Sequence, residues 1–114
     1  NIKFANKNKE LNKFDNIKFI NDRVENVLKR LILSNPCRKT IIVNPPRRGL
    51  YEDVLKEINK NIKFIDQIIY ISCNVKSLKR DLSNLDLNNK KITHIIPINQ
   101  FPNTEHYEII VNIN

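Results

Sequence analysis

Two short stretches of this sequence combine residue types that can do chemistry. Asn44-Pro45-Pro46-Arg47-Arg48-Gly49 follows an apolar run and gathers an amide, two stiff prolines and two cations in one turn. Cys73-Asn74 follows a second apolar run and places a thiol, an intrinsically strong nucleophile, at its exit. If the two runs are neighbouring strands, about 5 Å separates them laterally and both polar loops face one pocket. Without wider context plainer readings stand beside these: a rigid turn with a solvated arginine pair, and a cysteine serving as a small buried hydrophobe.

The elements that must position these residues follow from apolar spacing. Ile2, Phe4, Ala5 and Leu11 predict a helix closed by Lys13 to Asn16, and Ile17 to Asn21 alternates like a short strand. Asp22 is the expected N-cap of a helix carrying Val24, Val27, Leu28, Leu31 and Ile32, stopped by Asn35-Pro36. Thr40 to Val43 reads as a buried strand, Tyr51 to Ile58 as a helix, and Gln67 to Ser72 as a second buried strand. A helix beginning near Val75 presents Leu78, Leu82 and Leu85, and strands at Lys91 to Ile98 and Tyr107 to Ile113 close the chain. This alternation predicts an α/β fold with an open, mostly parallel sheet, helices on both faces and an antiparallel last strand.

Composition excludes several functions. At 114 residues the chain holds one core, and its single glycine, Gly49, rules out a glycine-rich phosphate or dinucleotide loop within it. Two histidines, His94 and His106, and two separated cysteines, Cys37 and Cys73, support no metal site. Nothing approaches a membrane span or a secretory signal, and two cysteines are too few for a disulfide framework, so the expected compartment is intracellular, the cytoplasm. The net charge of +8 suits a polyanionic partner, but Asn, Ile and Lys make up nearly half the chain, as A/T-rich coding produces, which weakens that signal.

Three segments in order then carry a resemblance. They are Asn44-Pro45-Pro46-Arg47-Arg48-Gly49-Leu50, Tyr70-Ile71-Ser72-Cys73-Asn74 with Leu78-Lys79-Arg80-Asp81-Leu82, and Gln100-Phe101-Pro102-Asn103-Thr104-Glu105-His106-Tyr107-Glu108. Together they resemble the RNA uracil-C5 methyltransferases, over nearly the whole chain. The resemblance implies a Rossmann-like fold dependent on S-adenosyl-L-methionine, of which residues 1–114 form the C-terminal part of the catalytic domain. The glycine loop for the donor and any RNA-binding domain would lie upstream, and the segment alone is expected to be inactive.

The resemblance also implies roles. Carbon 5 of uracil is a poor nucleophile until a thiolate adds at carbon 6, so Cys73 is the expected nucleophile, its pKa lowered by the following helix and by Arg47. Glu108 is the expected acceptor of the carbon 5 proton, Arg47 a holder of the enolate oxygen or a phosphate, and Asn44 a donor contact. The partner is RNA, tRNA before ribosomal RNA, with its target base extruded and stacked on Phe101 or Tyr107; core packing is the plainer reading of both rings. Arg48, Lys76, Lys79 and Arg80 meet RNA backbone or lie solvated. His106 is assigned turn packing and His94 a structural place in its strand.

Three positions depart from the family pattern: Asn44 stands for Asp, Val75 for Pro after Cys-Asn, and Asn99 for Asp. An amide at 44 keeps hydrogen bonding but loses the charge that attracts a sulfonium, so weaker donor binding is expected. The alternative function is a degenerate or split relative that binds RNA without catalysis.

Overall fold

The computed structural model describes residues 2–34, 37 and 39–114. Its elements are α1 (Ile2–Leu11), α2 (Val24–Leu33), β1 (Thr40–Val43), α3 (Glu52–Lys60), β2 (Gln67–Ser72), α4 (Val75–Asn84), β3 (Ile92–Ile98) and β4 (Glu108–Ile113). Glu52 and Asp53 occupy the first turn of α3 and Lys60 its last, each sign matched to the helix dipole. Its apolar stripe of Val54, Leu55 and Ile58 is buried, as spacing predicts. The expected stop of α2 at Asn35-Pro36 lies outside the described residues.

The sheet runs in the order β1-β2-β4-β3. β1 lies parallel to β2, with Ile41 opposite Ile68 and Val43 opposite Tyr70. β4 is antiparallel to both β2 and β3. β1, β2 and β3 therefore run in one direction and β4 alone opposes them, so the expected mostly parallel sheet with an antiparallel last strand is matched in strand direction and only in part in pairing, with one parallel pairing and two antiparallel ones. The physical reason is the closing hairpin: β4 inserts between β2 and β3, so both its edges meet strands of opposite direction.

Burial alternates strictly along β2 and β4, and one face carries the core. Ile68, Tyr70, Ile109, Val111 and Ile113 join Leu28 and Ile32 of α2, Val54, Leu55 and Ile58 of α3, and Leu78 of α4 in one cluster. The opposite face, with Ile42, Ile69, Ile71, Ile96 and Ile110, contributes nothing to that cluster, and α1 has no buried residue, so the expected helices on both faces reduce to helices on one. A chain of side-chain hydrogen bonds crosses all four strands, from Thr40 to Gln67 (3.0 Å), Gln67 to Asn112 (2.8 Å) and Asn112 to Thr93 (3.0 Å). It ties the strand register with polar groups where the apolar pattern is uniform isoleucine.

Two further expectations are corrected. Residues 17–21 form no strand; no described strand pairs with them, and without a ladder their backbone groups stay with water. The N-cap of α2 is Arg23 rather than Asp22. Asp22 stands one residue earlier, where its carboxylate accepts the Arg23 N–H (2.7 Å) and the Asn26 amide (2.8 Å). The Asn26 bond first, then the Arg23 bond, holds its pKa below the usual carboxylate value.

Ile58 is fully buried at the centre of the cluster. Ile58→Ala is expected to lower unfolding free energy by about 3 kcal/mol, measured by urea denaturation; a loss under about 1 kcal/mol would show that the core relaxes around the cavity.

Candidate active site at the carboxyl ends of β1 and β2

Topology brings the three sequence segments to one edge of the sheet. β1 and β2 are parallel neighbours, so the Asn44 and Cys73 loops leave from the same end. β4 runs the other way, so its first residue, Glu108, starts at that end, where the loop from β3 also arrives. The β2–β4 ladder ends at the Ser72–Ile109 pair, so Cys73, next after Ser72, and Glu108, just before Ile109, both lie at that end of the sheet. Both side chains are half-buried.

The bend at Cys73 is closed by its neighbours. Asn74 caps α4, its Oδ1 accepting the N–H groups of Lys76 (2.9 Å) and Ser77 (3.3 Å). Ser72 Oγ donates to the Asn74 carbonyl (3.0 Å) and accepts the Asn74 N–H (3.1 Å), while Ser77 Oγ donates to the same carbonyl (3.1 Å). Val75 thus takes the first helical position, where a proline would preset φ, in a bend already fixed by hydrogen bonds.

The Asn44 to Leu50 loop is held from the opposite side by a residue that sequence reading missed. Asp81 is fully buried on α4, and its Oδ2 accepts the Leu50 N–H (2.7 Å) and the Tyr70 hydroxyl (2.6 Å). Its Oδ1 accepts Arg80 Nε (2.9 Å) and Nη2 (2.6 Å), and Arg80 Nη2 also donates to the Arg48 carbonyl (2.7 Å). Gly49 passes between them with φ of 83°, and a Cβ there would overlap the Asp81 carboxylate and lie 2.6 Å from Arg80. The glycine is required twice over. An Asp inside a Leu-Lys-Arg-Asp-Leu helix is the only sequence signal, readable once the helix face is known to be buried.

Other candidates fall out differently. Arg80 is engaged by Asp81 while its side chain stays half exposed, and Arg48 stacks over Tyr51 at 4.1 Å. Arg47 reaches across to the β3–β4 loop, its Nη2 lying 3.3 Å from His106 Nδ1. Phe101 and Tyr107 are exposed, which corrects the core-packing alternative for both. Asn44 is exposed and lines an open groove of about 550 Å³ together with Ile42, Pro45, Pro46, Tyr51 and Asp22. That groove lies apart from Cys73 and Glu108, neither of which lines it. Among the described residues no cluster of three His, Cys, Asp or Glu offers a metal site, and no helix is long and apolar enough to cross a membrane.

The sequence pattern of the tRNA (uracil-5-)-methyltransferase family matches residues 1–114. The chain belongs to that family. It is 41% identical to a putative RNA methyltransferase of Acanthamoeba polyphaga mimivirus, over 94% of this chain and 28% of that one. It is 32% identical to the tRNA (uracil(54)-C(5))-methyltransferase of Pyrococcus horikoshii, over 98% of this chain and 25% of that one. The crystal structure of Pyrococcus abyssi tRNA (uracil-54, C5)-methyltransferase in complex with S-adenosyl-L-homocysteine superposes with a TM-score of 0.79 at 30% identity, over 99% of this chain and 25% of that one. The chain therefore spans about a quarter of the length of these relatives. The Rossmann-like methyltransferase fold expected from the motifs is that of this family member.

Two predictions follow from the Asp81 cluster. Asp81→Ala is expected to cost about 3 kcal/mol, by stranding a buried hydroxyl and N–H, and Gly49→Ala about 2 kcal/mol. Because both act through one contact, the double variant should lose less than the sum in urea denaturation; strictly additive losses would separate the two residues. Burial first, then the bond to Asp81, holds the Tyr70 phenol far above its ordinary value of about 10. The unfolded chain ionises near pH 10 and the folded one does not, so this contribution is complete below about pH 10 and falls as pH rises past it. Tyr70→Phe should therefore lose less stability than the parent between about pH 9 and 11, and equal alkaline slopes would contradict the buried phenol.

Proposed function

We propose that this chain forms the nucleophile-and-base part of an enzyme that methylates carbon 5 of uracil in RNA. The observation supporting this most directly is the convergence of Cys73, Glu108 and the Arg47 loop at one sheet edge, in a chain of the uracil-5 methyltransferase family. The Cys73 thiolate adds to carbon 6 of the base, and electron density moves to carbon 5 and the carbonyl oxygen. Arg47 meets that developing negative charge, or an adjacent phosphate, as a fixed donor. Once carbon 5 carries the new methyl group, Glu108 takes the proton from carbon 5, and the electron pair released re-forms the carbon 5–carbon 6 double bond as the carbon–sulfur bond breaks to free Cys73. The place of Glu108 one residue before Ile109, whose partner Ser72 precedes Cys73, supports this order of events.

S-adenosyl-L-methionine, when bound, supplies the methyl group. The residues present fit part of such a donor: the groove beside Asn44 is of the size that holds small ligands, with Ile42, Pro45 and an amide in its lining. Asn44 would hold the donor by hydrogen bonding alone. The substrate is RNA extruding a single uracil, a tRNA T-loop uridine before a ribosomal one, and exposed Phe101 and Tyr107 are available to stack on it. Such a substrate, with Cys37 and Cys73 both unpaired, fits work in the cytoplasm.

One observation favours a second reading. Asn44, exposed and uncharged, weakens attraction for a sulfonium, as in a relative that binds RNA without catalysis. One experiment decides between them. With donor present, the intact protein should form a covalent adduct with RNA containing 5-fluorouridine, Cys73→Ala should form none, and Glu108→Gln should accumulate adduct on ordinary uridine. RNA binding without any adduct, indifferent to Cys73→Ala, would leave the binding reading.

A further inference from the structure

His106 carries no part in the chemistry above, yet the structure ties it to two loops of the site. Arg47 Nη2 lies 3.3 Å from its Nδ1 across 59 residues of sequence. A guanidinium can only donate, so a hydrogen bond here requires Nδ1 to accept, which is the tautomer that carries its proton on Nε2. The His106 backbone is itself braced. Thr104 Oγ1 donates to the Phe101 carbonyl (2.8 Å) and accepts the His106 N–H (3.2 Å), and the Thr104 N–H also returns to the Phe101 carbonyl (3.2 Å). Asn103 supplies the reversal with φ of 66°. The hydroxyl at 104 and the imidazole at 106 therefore form one relay from a closed turn to the arginine, and Glu108 begins β4 two residues beyond.

Among the described residues Arg47 has no comparable anchor on its own side. Arg48 is stacked on Tyr51 and Arg80 is occupied by Asp81, whereas the Arg47 guanidinium extends from an exposed turn. A long cation held at one point loses much of its rotamer freedom before a ligand arrives, which is how a fixed donor outperforms a mobile one.

We propose that His106 is a positioning residue for Arg47: its neutral Nε2–H ring, held by the Thr104 turn, docks the guanidinium against the loop leading to Glu108, so that the two loops face Cys73 as one unit. The proposal rests on the methyltransferase reading of the site, and its test separates the two. In intact protein labelled with ¹⁵N-histidine at neutral pH, the signals lost in His106→Asn should show an unprotonated Nδ1 and a protonated Nε2. Arg47→Ala should shift that pattern toward a mixture of tautomers. A doubly protonated ring, an Nδ1–H tautomer, or a pattern unmoved by Arg47→Ala would overturn the proposal, whether or not the protein methylates RNA.

Activity gives the second arm. His106→Ala should lower methyl transfer about tenfold, the size of one charge-assisted hydrogen bond, and His106→Asn should recover most of it because the amide oxygen occupies the place of Nδ1. In the Arg47→Ala background His106→Ala should change nothing further. Multiplying losses would assign His106 a role independent of Arg47 and overturn the proposal, whereas an intact protein with no methyl transfer at all would sink the enzymatic reading and leave the tautomer result to decide the contact.

Discussion

The arrangement at this sheet edge depends on one buried carboxylate. Asp81 has no exposure, and an unpaired charge at such a site is costly enough that the group survives only if every lone pair is used. Here the donors come from three directions: the Tyr70 hydroxyl on β2, the Leu50 N–H at the end of the Pro-Pro-Arg-Arg-Gly loop, and the neighbouring Arg80. No buried side-chain polar atom among the described residues is left without a partner. The consequence is mechanical. The loop bearing Asn44 and Arg47 is locked to α4, into which the Cys73-Asn74 bend leads, so Cys73 and Arg47 share a frame although 25 residues separate them in the chain.

The same network explains what was legible in the sequence. The helices at Ile2, Val24 and Glu52 and the strands at Thr40 and Gln67 announce themselves through period and apolar runs, because their partners impose nothing beyond burial. Asp81 does not, because its meaning resides in groups 11 and 31 residues away, and an acidic residue on a polar helix reads as solvated until the fold supplies those partners. Residues 17–21 fail in the opposite sense. Their alternation is real, but a strand is a property of a pair, and no described strand takes them. The pairing of the strands was hidden for a related reason, since apolar runs do not encode neighbours: β1, β2 and β3 share the expected direction, but the insertion of β4 between β2 and β3 makes two of the three pairings antiparallel.

The departures from the family pattern also take a physical form in the structure. Proline at the first turn of a helix presets φ, but here Ser72, Asn74 and Ser77 close the bend with hydrogen bonds, so Val75 costs that element little. No such compensation stands beside Asn44. It is exposed and lines its groove, and the carboxylate of Asp22, which lines the same groove, already accepts from Arg23 and Asn26. The geometry of the loop survives the exchange of Asp for Asn, whereas its electrostatic attraction for a cation does not.

Three arginines that look alike in sequence show how environment assigns work. Arg80 is spent on a buried carboxylate and a backbone carbonyl, and most of its charge is answered within the protein. Arg48 lies flat on Tyr51, where the ring face takes up part of its field and its backbone carbonyl serves Arg80. Arg47 meets an imidazole nitrogen, which, in the accepting role proposed above, orients the guanidinium without cancelling its charge. A carboxylate at 106 would have held Arg47 more tightly and cancelled much of its positive potential. Histidine is the side chain that fixes direction while leaving charge available, so the contact with His106 bears on recognition as much as on structure.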